Sequence, residues 1–405
     1  MAVRRRVWTT RKGEPREAWI AEYSFFTKDG VRKQAIKTFK TQRAAKAFRD
    51  KTGVDVREGK HVPERASINI REAAEIWFKA VKSGRNGRPP AEASTLRQYR
   101  THIDHHILPE LGRVKLSQLS ASRVSAFRDH LLARISRPLA KKVLTSLKSI
   151  VGEAQSRDLV AVNAASSVKI QAANGRHKTT VEIPEAREIK AVFAELDERA
   201  VKSKTWRRWR AFMATAIHTG LRASELRGLP WGRDGVNLKA GTLTVTQRAD
   251  ENGKIGSPKS LAGHRTVNLP PSLVTLLREW KAECPPGALV LPNWQGNVES
   301  LGNIHNRCWK PIQRAAGLTE PVKDDKGNVD RDEEGKPVMR ARYNFHCLRH
   351  FHASRLIADG ANAKEVQVEM GHSNITVTLD LYAHLFKDEE ADQRRKERAE
   401  RIARF

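Results

Sequence analysis

The sequence predicts a multidomain α+β chain: a small β-sheet N-terminal module, an all-α domain, and a mainly α domain with a small antiparallel β-hairpin or sheet. Three observations predict it. Apolar and aromatic residues alternate between Glu17 and Lys40, the period of a half-buried strand. From Asn69 to about residue 165 the apolar spacing becomes three and four, the period of a helix. Beyond about residue 176, helical runs enclose two short strand candidates, "GTLTVTQ" and "HRTVNLP".

At 405 residues the chain is long enough for two or three domains, each with its own core. Its 75 Lys and Arg against 46 Asp and Glu leave a net charge of +29. Such an excess repels itself in a compact state and predicts a polyanionic partner, nucleic acid ahead of an anionic membrane surface. No run of about eighteen apolar residues is present to span a bilayer. The start, "MAVRRRVWTT", has no apolar run behind its basic residues and so is no secretory signal. Cys284, Cys308 and Cys347 are odd in number, widely spaced, and form no C-x-x-C pair. That argues against a disulfide framework and a zinc ribbon, and for a reducing, cytoplasmic compartment.

Residues 1–62 form the β module. "EAWIAEYSFFTKDGVRKQAIKTFK" gives two strand-like runs around Lys28-Asp29-Gly30, and Asp-Gly suits a hairpin turn. A short helix follows from Thr41, burying Ala44, Ala45 and Phe48. Seventeen Lys or Arg against seven Asp or Glu give this segment a net charge of +10, and it is too small to be a catalytic unit. An extra nucleic-acid grip is the reading; a basic solubilising tail would not need alternating aromatics. "EGKHVPERAS" is a linker.

Residues 67–170 form the helical domain. Asn69 with Glu72 resembles a capping box, and Ile70, Ala73, Ala74 and Trp77 share one face. Leu96, Tyr99, Ile103 and Ile107 make a second stripe after a Ser94 cap. Val124, Phe127 and Leu131 make a third, and Val143, Leu147, Ile150 and Val151 a fourth. Tyr99 lies on its stripe, so it reads as core. Lys and Arg on the outer faces fit a compact DNA-binding domain.

Residues 176–405 form the third domain. "TEPVKDDKGNVDRDEEGKPVMRARYNF", spanning the insertion 319–344, reads as an exposed insertion or hairpin, and the tail as a charged helix. Four stretches carry reactive residue types. "HTGLRASELRGLPW" sets Arg222 and Glu225 three apart on one helix face. "SPKSLAGHRTVNLP" sets Lys259 at the base or tip of the hairpin. "FHCLRHFHASRL" sets His346 and Arg349 three apart, and "GHSNITVTLDLY" supplies His372 and Tyr382.

Together these residues fit one chemistry. A phosphodiester resists attack because its oxygens are anionic, and two guanidiniums, Arg222 and Arg349, can neutralise them with bidentate geometry. A tyrosine hydroxyl, with a pKa of about 10, is about one part in a thousand ionised near neutral pH. Nearby cations favour its phenolate, and a histidine can take its proton. The departing 5′-oxygen needs a donor, and Lys259 can supply one. The product is a phosphotyrosyl linkage that keeps the bond energy for rejoining. Fixed cations take the place of a metal, so no cofactor is expected.

Singly, each residue has a plainer reading. One Arg or Lys among 75 is ordinarily a surface charge, His372 can simply follow a helix end, and Tyr382 can pack in a core. His346, His350 and His352 invite zinc, but "HCLRH" lacks the Glu of H-E-x-x-H. Tyr343 is the rival nucleophile; it lies beside the insertion and lacks a fixed basic companion in the pattern.

The ordered set is far more specific. T-G-x-R-x-x-E-L, a hairpin Lys, H-x-x-R-H, then G-H with a tyrosine ten residues on resembles the tyrosine recombinase family of phage-type, lambda-like integrases. The resemblance covers about residues 176–390 and fills all six catalytic positions. It implies Tyr382 as nucleophile, Arg222 and Arg349 as the phosphate clamp, and Lys259 as general acid. It implies that His346 and His372 bind the phosphate or shuttle the proton, and that Glu225 supports the first arginine. It further implies an arm-type DNA-binding domain at 1–62, a core-binding (SAM-like) domain at 67–170 and a catalytic domain at 176–405. The partners implied are double-stranded DNA at core and arm sites and a homotetramer working through a Holliday junction. A DNA-bending host factor and an excisionase are further family expectations. Two other classes use parts of the pattern. A type IB topoisomerase has similar chemistry but needs neither a basic arm module nor the tight G-H-to-Tyr spacing. A non-enzymatic DNA binder would lack a member of the set, and none is missing.

Overall fold

The computed structural model describes residues 2–10, 13, 15–26, 32–57, 67–85, 87–171, 181–324, 327–386 and 391–403. The chain divides into two compact units, Met1–Gly175 and Arg176–Phe405. Among the described residues no helix is long and apolar enough to cross a membrane.

The first unit opens with an antiparallel sheet of β1 (Ala2–Thr9), β2 (Pro15–Phe26) and β3 (Arg32–Phe39), in that order. The apolar residues belong to the central strand: Ala18, Ile20, Ala21 and Tyr23 are buried, and Trp19 stands between Arg5 and Phe39. β1 had no alternating signature because it is an edge strand whose arginines stay in water. α1 (Gln42–Arg57) starts at Thr41, whose Oγ1 accepts from the Ala44 N–H. It buries Ala45 and packs Phe48 on Tyr23 and Phe39, whereas Ala44, expected inside, is exposed. The expected Lys28-Asp29-Gly30 turn and the linker over 58–67, except its last residue Ser67, fall outside the described residues.

The helical part of this unit has a core of its own, built on the predicted stripes. α2 (Ile70–Ser83) carries the full Asn69–Glu72 capping box and buries Ile70, Ala73, Ala74 and Trp77. α3 (Ala93–Thr101) runs through a π-helical turn, His102–Ile107, into α4 (Leu108–Leu111). Its N-cap is Glu92 rather than Ser94, which lies inside the helix. Ile103 and Ile107 are fully buried, and Tyr99 packs on Trp77 with ring centroids 4.8 Å apart. α5 (Ala121–Arg134) and α6 (Arg137–Ser156) bury the third and fourth stripes.

The second unit begins with α7 (Ala186–Lys202) and α8 (Lys204–Thr219), followed by α9 (Ala223–Arg227). β4 (Val236–Asn237), β5 (Thr242–Val245) and β8 (Arg265–Asn268) form an antiparallel sheet, with a hairpin of β6 (Arg248–Ala249) and β7 (Ile255–Gly256) between the last two. Both predicted strands are thus paired, with Leu243 opposite Val267. α10 (Pro271–Glu283) precedes α11 (Leu301–Asn303), which continues through a π-helical turn, Ile304–Trp309, into α12 (Lys310–Ala315). Trp209, Phe212, Leu277 and Trp309 anchor the main core. α13 (Cys347–Ala358), α14 (Ala363–Met370) and α15 (Ile375–Tyr382) enclose a smaller one of Ala353, Ile357, Val366, Met370 and Tyr382. α16 (Ala391–Ile402) is the charged tail helix. The three cysteines are free thiols, with Cys308 and Cys347 buried.

The insertion is an exposed ladder rooted on the pair β9 (Thr319–Pro321) and β10 (Met339–Ala341). It repeats one turn. Asp324 and Asp332 each lend Oδ1 to the N–H four residues on, with Gly327 and Gly335 at φ +88° and +77°. Asp250 with Gly253 and Asn293 with Gly296 build the same turn elsewhere in this unit. In each the side chain does the work of a backbone carbonyl and glycine supplies the left-handed residue. Over its described residues the polar, glycine-punctuated run therefore forms hairpins.

Candidate active site

Two helix ends build the site. α8 stops at Gly220 (φ +58°) and α14 at Gly371 (φ +61°), each left-handed and each closing its helix as glycine commonly does. Space demands glycine as well: a Cβ would stand 2.6 Å from the His352 ring at Gly220, and 2.8 Å from the Ala262 carbonyl oxygen at Gly371. The carbonyls at these ends hold the two arginines. Arg349 donates from Nη1 to Gly220 O at 2.6 Å and from Nη2 to Met370 O, while Arg222 donates from Nη2 to Gly371 O at 3.1 Å. Cations at helix C-termini also meet the negative end of the dipole.

Arg222 is the N-cap of α9 rather than a residue within it, and it donates twice to the Glu225 carboxylate. Glu225 Oε2 accepts from the Arg222 backbone N–H at 3.0 Å, and Oε1 accepts from Nη1 at 2.8 Å. Glu225 is buried, and Arg265 of β8 donates to Oε2 at 3.0 Å. Burial alone would raise the Glu225 pKa; Arg265 and then Arg222 outweigh it and hold the carboxyl below its usual range. Arg265 also donates to Glu369 O at 2.7 Å and Gly263 O at 3.1 Å, so it braces α14 and the loop before β8. That loop carries Lys259, exposed, three residues after β7 rather than on a strand.

Helix α13 brings the histidines. His346 is its N-cap and is exposed; desolvation, then Arg349 and Arg222, lower its pKa. Arg349 is buried, and although burial and Arg222 press its pKa down, a guanidinium stays charged near neutral pH. His350 is buried beside it, with Nδ1 2.7 Å from the Tyr382 hydroxyl. His372 is buried too, its ring nearly parallel to Tyr382 at 6.5 Å and its Nδ1 2.9 Å from Thr378 Oγ1. Desolvation, then Arg349 and Arg222, push His372 down to about 3. Tyr382 is fully buried, and burial, opposed by Arg349, pushes its phenol up to about 12.

The structure therefore gathers Arg222, Glu225, His346, Arg349, His372 and Tyr382, with Lys259 on the neighbouring loop. Tyr343 is elsewhere: its hydroxyl donates to Glu188 at 2.7 Å, and burial followed by that carboxylate raises its pKa. It does have a basic companion, contrary to expectation, because the Arg342 guanidinium lies 4.9 Å from its ring centre. Sequence reasoning missed three residues. Arg265 left a signal, since the β8 alternation turns Arg265 and Val267 inward. His350 was visible only as a zinc candidate, and Thr378 left none, because its partner His372 is fixed by tertiary packing.

The sequence pattern of the phage integrase family matches residues 182–389, just over half of the chain. A XerC-like tyrosine recombinase of Caldanaerobacter subterraneus subsp. tengcongensis is 25% identical over 363 residues, 85% of this chain and 86% of that one. An integrase of Mycobacterium phage D29 is 22% identical over 422 residues, 98% and 99% of the two chains. Two solved structures, each at 18% identity, share the fold. A Tn1549 transposon integrase bound to transposon right end DNA matches with TM-score 0.61 over 82% of this chain and 99% of that one. A lambda integrase tetramer bound to a Holliday junction matches with TM-score 0.54 over 91% and 96%. With the pattern spanning the whole arginine, histidine and tyrosine constellation, the chain belongs to the phage integrase family and is a tyrosine recombinase, an enzyme of site-specific DNA recombination.

Proposed function

We propose that Tyr382 attacks the scissile phosphodiester of double-stranded DNA and becomes joined to its 3′-phosphate, and that Arg222, Lys259, His346, Arg349 and His372 carry the reaction with it. The observation that carries this reading is the burial of the Tyr382 phenol among α13, α14 and α15, against the helix that supplies Arg349. Arg222 and Arg349 neutralise the non-bridging oxygens as charge builds in the transition state. His346, at the exposed start of α13, and His372, held by Thr378, hydrogen-bond the phosphate. Lys259 protonates the departing 5′-oxygen, and its loop abuts Gly371 through the Ala262 carbonyl. Glu225 orients Arg222 from beneath.

The domain roles complete the reading. Residues 1–62 bind arm-type DNA, 67–170 bind core-type DNA, and 176–405 catalyse. The tetramer on a Holliday junction in the lambda integrase structure supports a homotetramer for this chain, exchanging strands in pairs. Integration of a mobile element, and excision aided by a DNA-bending protein and an excisionase, follow as its biological use. The charge of +29 fits tight contact with phosphates, which added salt should weaken steeply.

The test is covalent trapping on a nicked suicide DNA bearing a candidate attachment site. Wild type forms a denaturant-resistant protein–DNA adduct and Tyr382→Phe forms none while still binding. An adduct with Tyr382→Phe would move the nucleophile to another tyrosine.

A further inference from the structure

The nucleophile reading leaves a proton unassigned. Two imidazoles, His350 and His372, stand against the Tyr382 ring, a third, His346, meets His350, and they are not equivalent. His372 lies alongside the ring, but its Nδ1 is engaged by Thr378. His346 meets His350 edge-on, with ring centroids 4.8 Å apart. Among the described residues the phenol's hydrogen-bond partner is His350 Nδ1, at 2.7 Å. A fully buried hydroxyl proton needs an acceptor, and His350 Nδ1 provides it. The neutral ring must then carry its own hydrogen on Nε2. A nucleophile and a base within hydrogen-bond reach is the arrangement that activates a weak nucleophile.

We propose that His350 is the general base that takes the proton of Tyr382, and that the scissile phosphate, once seated on Arg222 and Arg349, turns it on. The proposal rests on Tyr382 being the nucleophile. The groups facing His350 are His346 and Arg349 from its own helix, Tyr382 from the end of α15, and His372 beyond it. Desolvation first, then His346 and Arg349, hold His350 down to about 4, while the phenol is pushed up to about 12. Without DNA the proton therefore stays on oxygen, and the enzyme carries no free phenolate. A phosphate brings negative charge against Arg349 and removes part of what depresses His350. As the new O–P bond forms, the phenol becomes acidic and the transfer runs downhill.

The step balances. The Tyr382 O–H bond breaks and its proton moves to His350 Nδ1. The phenol oxygen's electron pair forms the bond to phosphorus, the P–O5′ bond breaks, and the departing oxygen takes a proton from Lys259. In rejoining, the 5′-hydroxyl gives its proton to Lys259 and attacks phosphorus, and the His350 imidazolium returns its proton to the departing Tyr382 oxygen.

The test compares single-turnover cleavage of the suicide DNA by wild type, His350→Asn and His350→Gln. Each is made with tyrosine or a ring-fluorinated tyrosine, which ionises more readily, at position 382. The amides can accept the phenol hydrogen bond but take no proton. DNA binding and thermal unfolding identify whichever amide variant keeps the fold. We expect that variant to cleave about 10²–10⁴-fold more slowly, as loss of a general base predicts. The fluorinated ring should restore at least about a tenth of the wild-type rate, because an already acidic phenol needs no base. Rates within about threefold of wild type, or a slow variant that the fluorinated ring leaves slow, would overturn the proposal and leave His350 a packing residue. The nucleophile reading fails separately, if Tyr382→Phe still forms the adduct.

Discussion

Arg265 and Glu225 form an ion pair at 3.0 Å with both side chains almost wholly out of water. Arg265 is outside the set proposed to act on the phosphate, yet it neutralises the carboxylate that holds Arg222. Breaking such a buried pair from one side strands a charge, which costs about 3–5 kcal/mol. Arg265→Met should therefore lose stability of that order in denaturant unfolding and fall well below wild type in adduct formation. A loss under about 1 kcal/mol would mean that Arg222 alone suffices for Glu225.

The two helix-ending glycines should be intolerant for a reason that a third can isolate. Gly360 is also left-handed, at φ +93°, but has open space where a Cβ would go. Gly360→Ala should cost only the conformational penalty, about 1–2 kcal/mol, and leave cleavage intact. Gly220→Ala adds a collision with His352 and displaces the carbonyl that holds Arg349, so it should lose both stability and cleavage. Equal effects of the two on adduct yield would refute the role given to the Gly220 carbonyl.

Tyr343→Phe separates the rival tyrosine from the chemistry. It removes a hydrogen bond to the Glu188 carboxylate, worth about 1.5–3 kcal/mol. Thermal stability should drop while the suicide-substrate adduct forms at an undiminished rate. Loss of the adduct in a folded Tyr343→Phe protein would reopen the choice of nucleophile.

Acid should destabilise the second unit before it protonates most surface carboxylates. His346 and His350 are held down to about 4 and His372 to about 3, against an ordinary 6.5. Above pH 6.5 these rings are neutral folded or unfolded, and pH has no leverage through them. Between 6.5 and about 4 the unfolded chain binds protons that the native site refuses, so stability falls with pH. His346, being exposed, contributes least. The melting temperature should drop from pH 7 to pH 5, and a His350→Asn, His372→Asn double variant should show a shallower drop. An identical slope in that variant would place the acid sensitivity elsewhere.

Much of this architecture could be read from residue spacing, because local rules and packing agree there. The Asn69–Glu72 box and the stripes through Trp77, Phe127 and Leu147 say the same thing to the backbone as to the core. β1 escaped notice because an edge strand of arginines need not alternate. Six of the seven expected site residues meet in one cluster, since two glycine-ended helices and one arginine-bearing helix leave fixed spacings in the chain. What spacing could not convey was the order of contacts inside the cluster. Adjacent to Arg349 in sequence, His350 looked like a metal candidate, and only the packing of α15 on α13 aims it at Tyr382. Thr378 was invisible because its bond to His372 depends on how the chain folds back into α15, which spacing does not convey.

The suspension of both guanidiniums from helix-end carbonyls makes the end of α14 a shared fastening. Arg222 hangs on Gly371 and Arg349 on Met370, and the chain runs straight from there into the helix that bears Tyr382. Lifting that segment would take one carbonyl from each guanidinium and carry Tyr382 away with it, leaving Arg349 on Gly220 and Arg222 on Glu225. If these residues act as proposed, a subunit whose last helices are unseated lacks its nucleophile and holds both arginines by fewer contacts, so strand cleavage waits on the seating of α14 and α15.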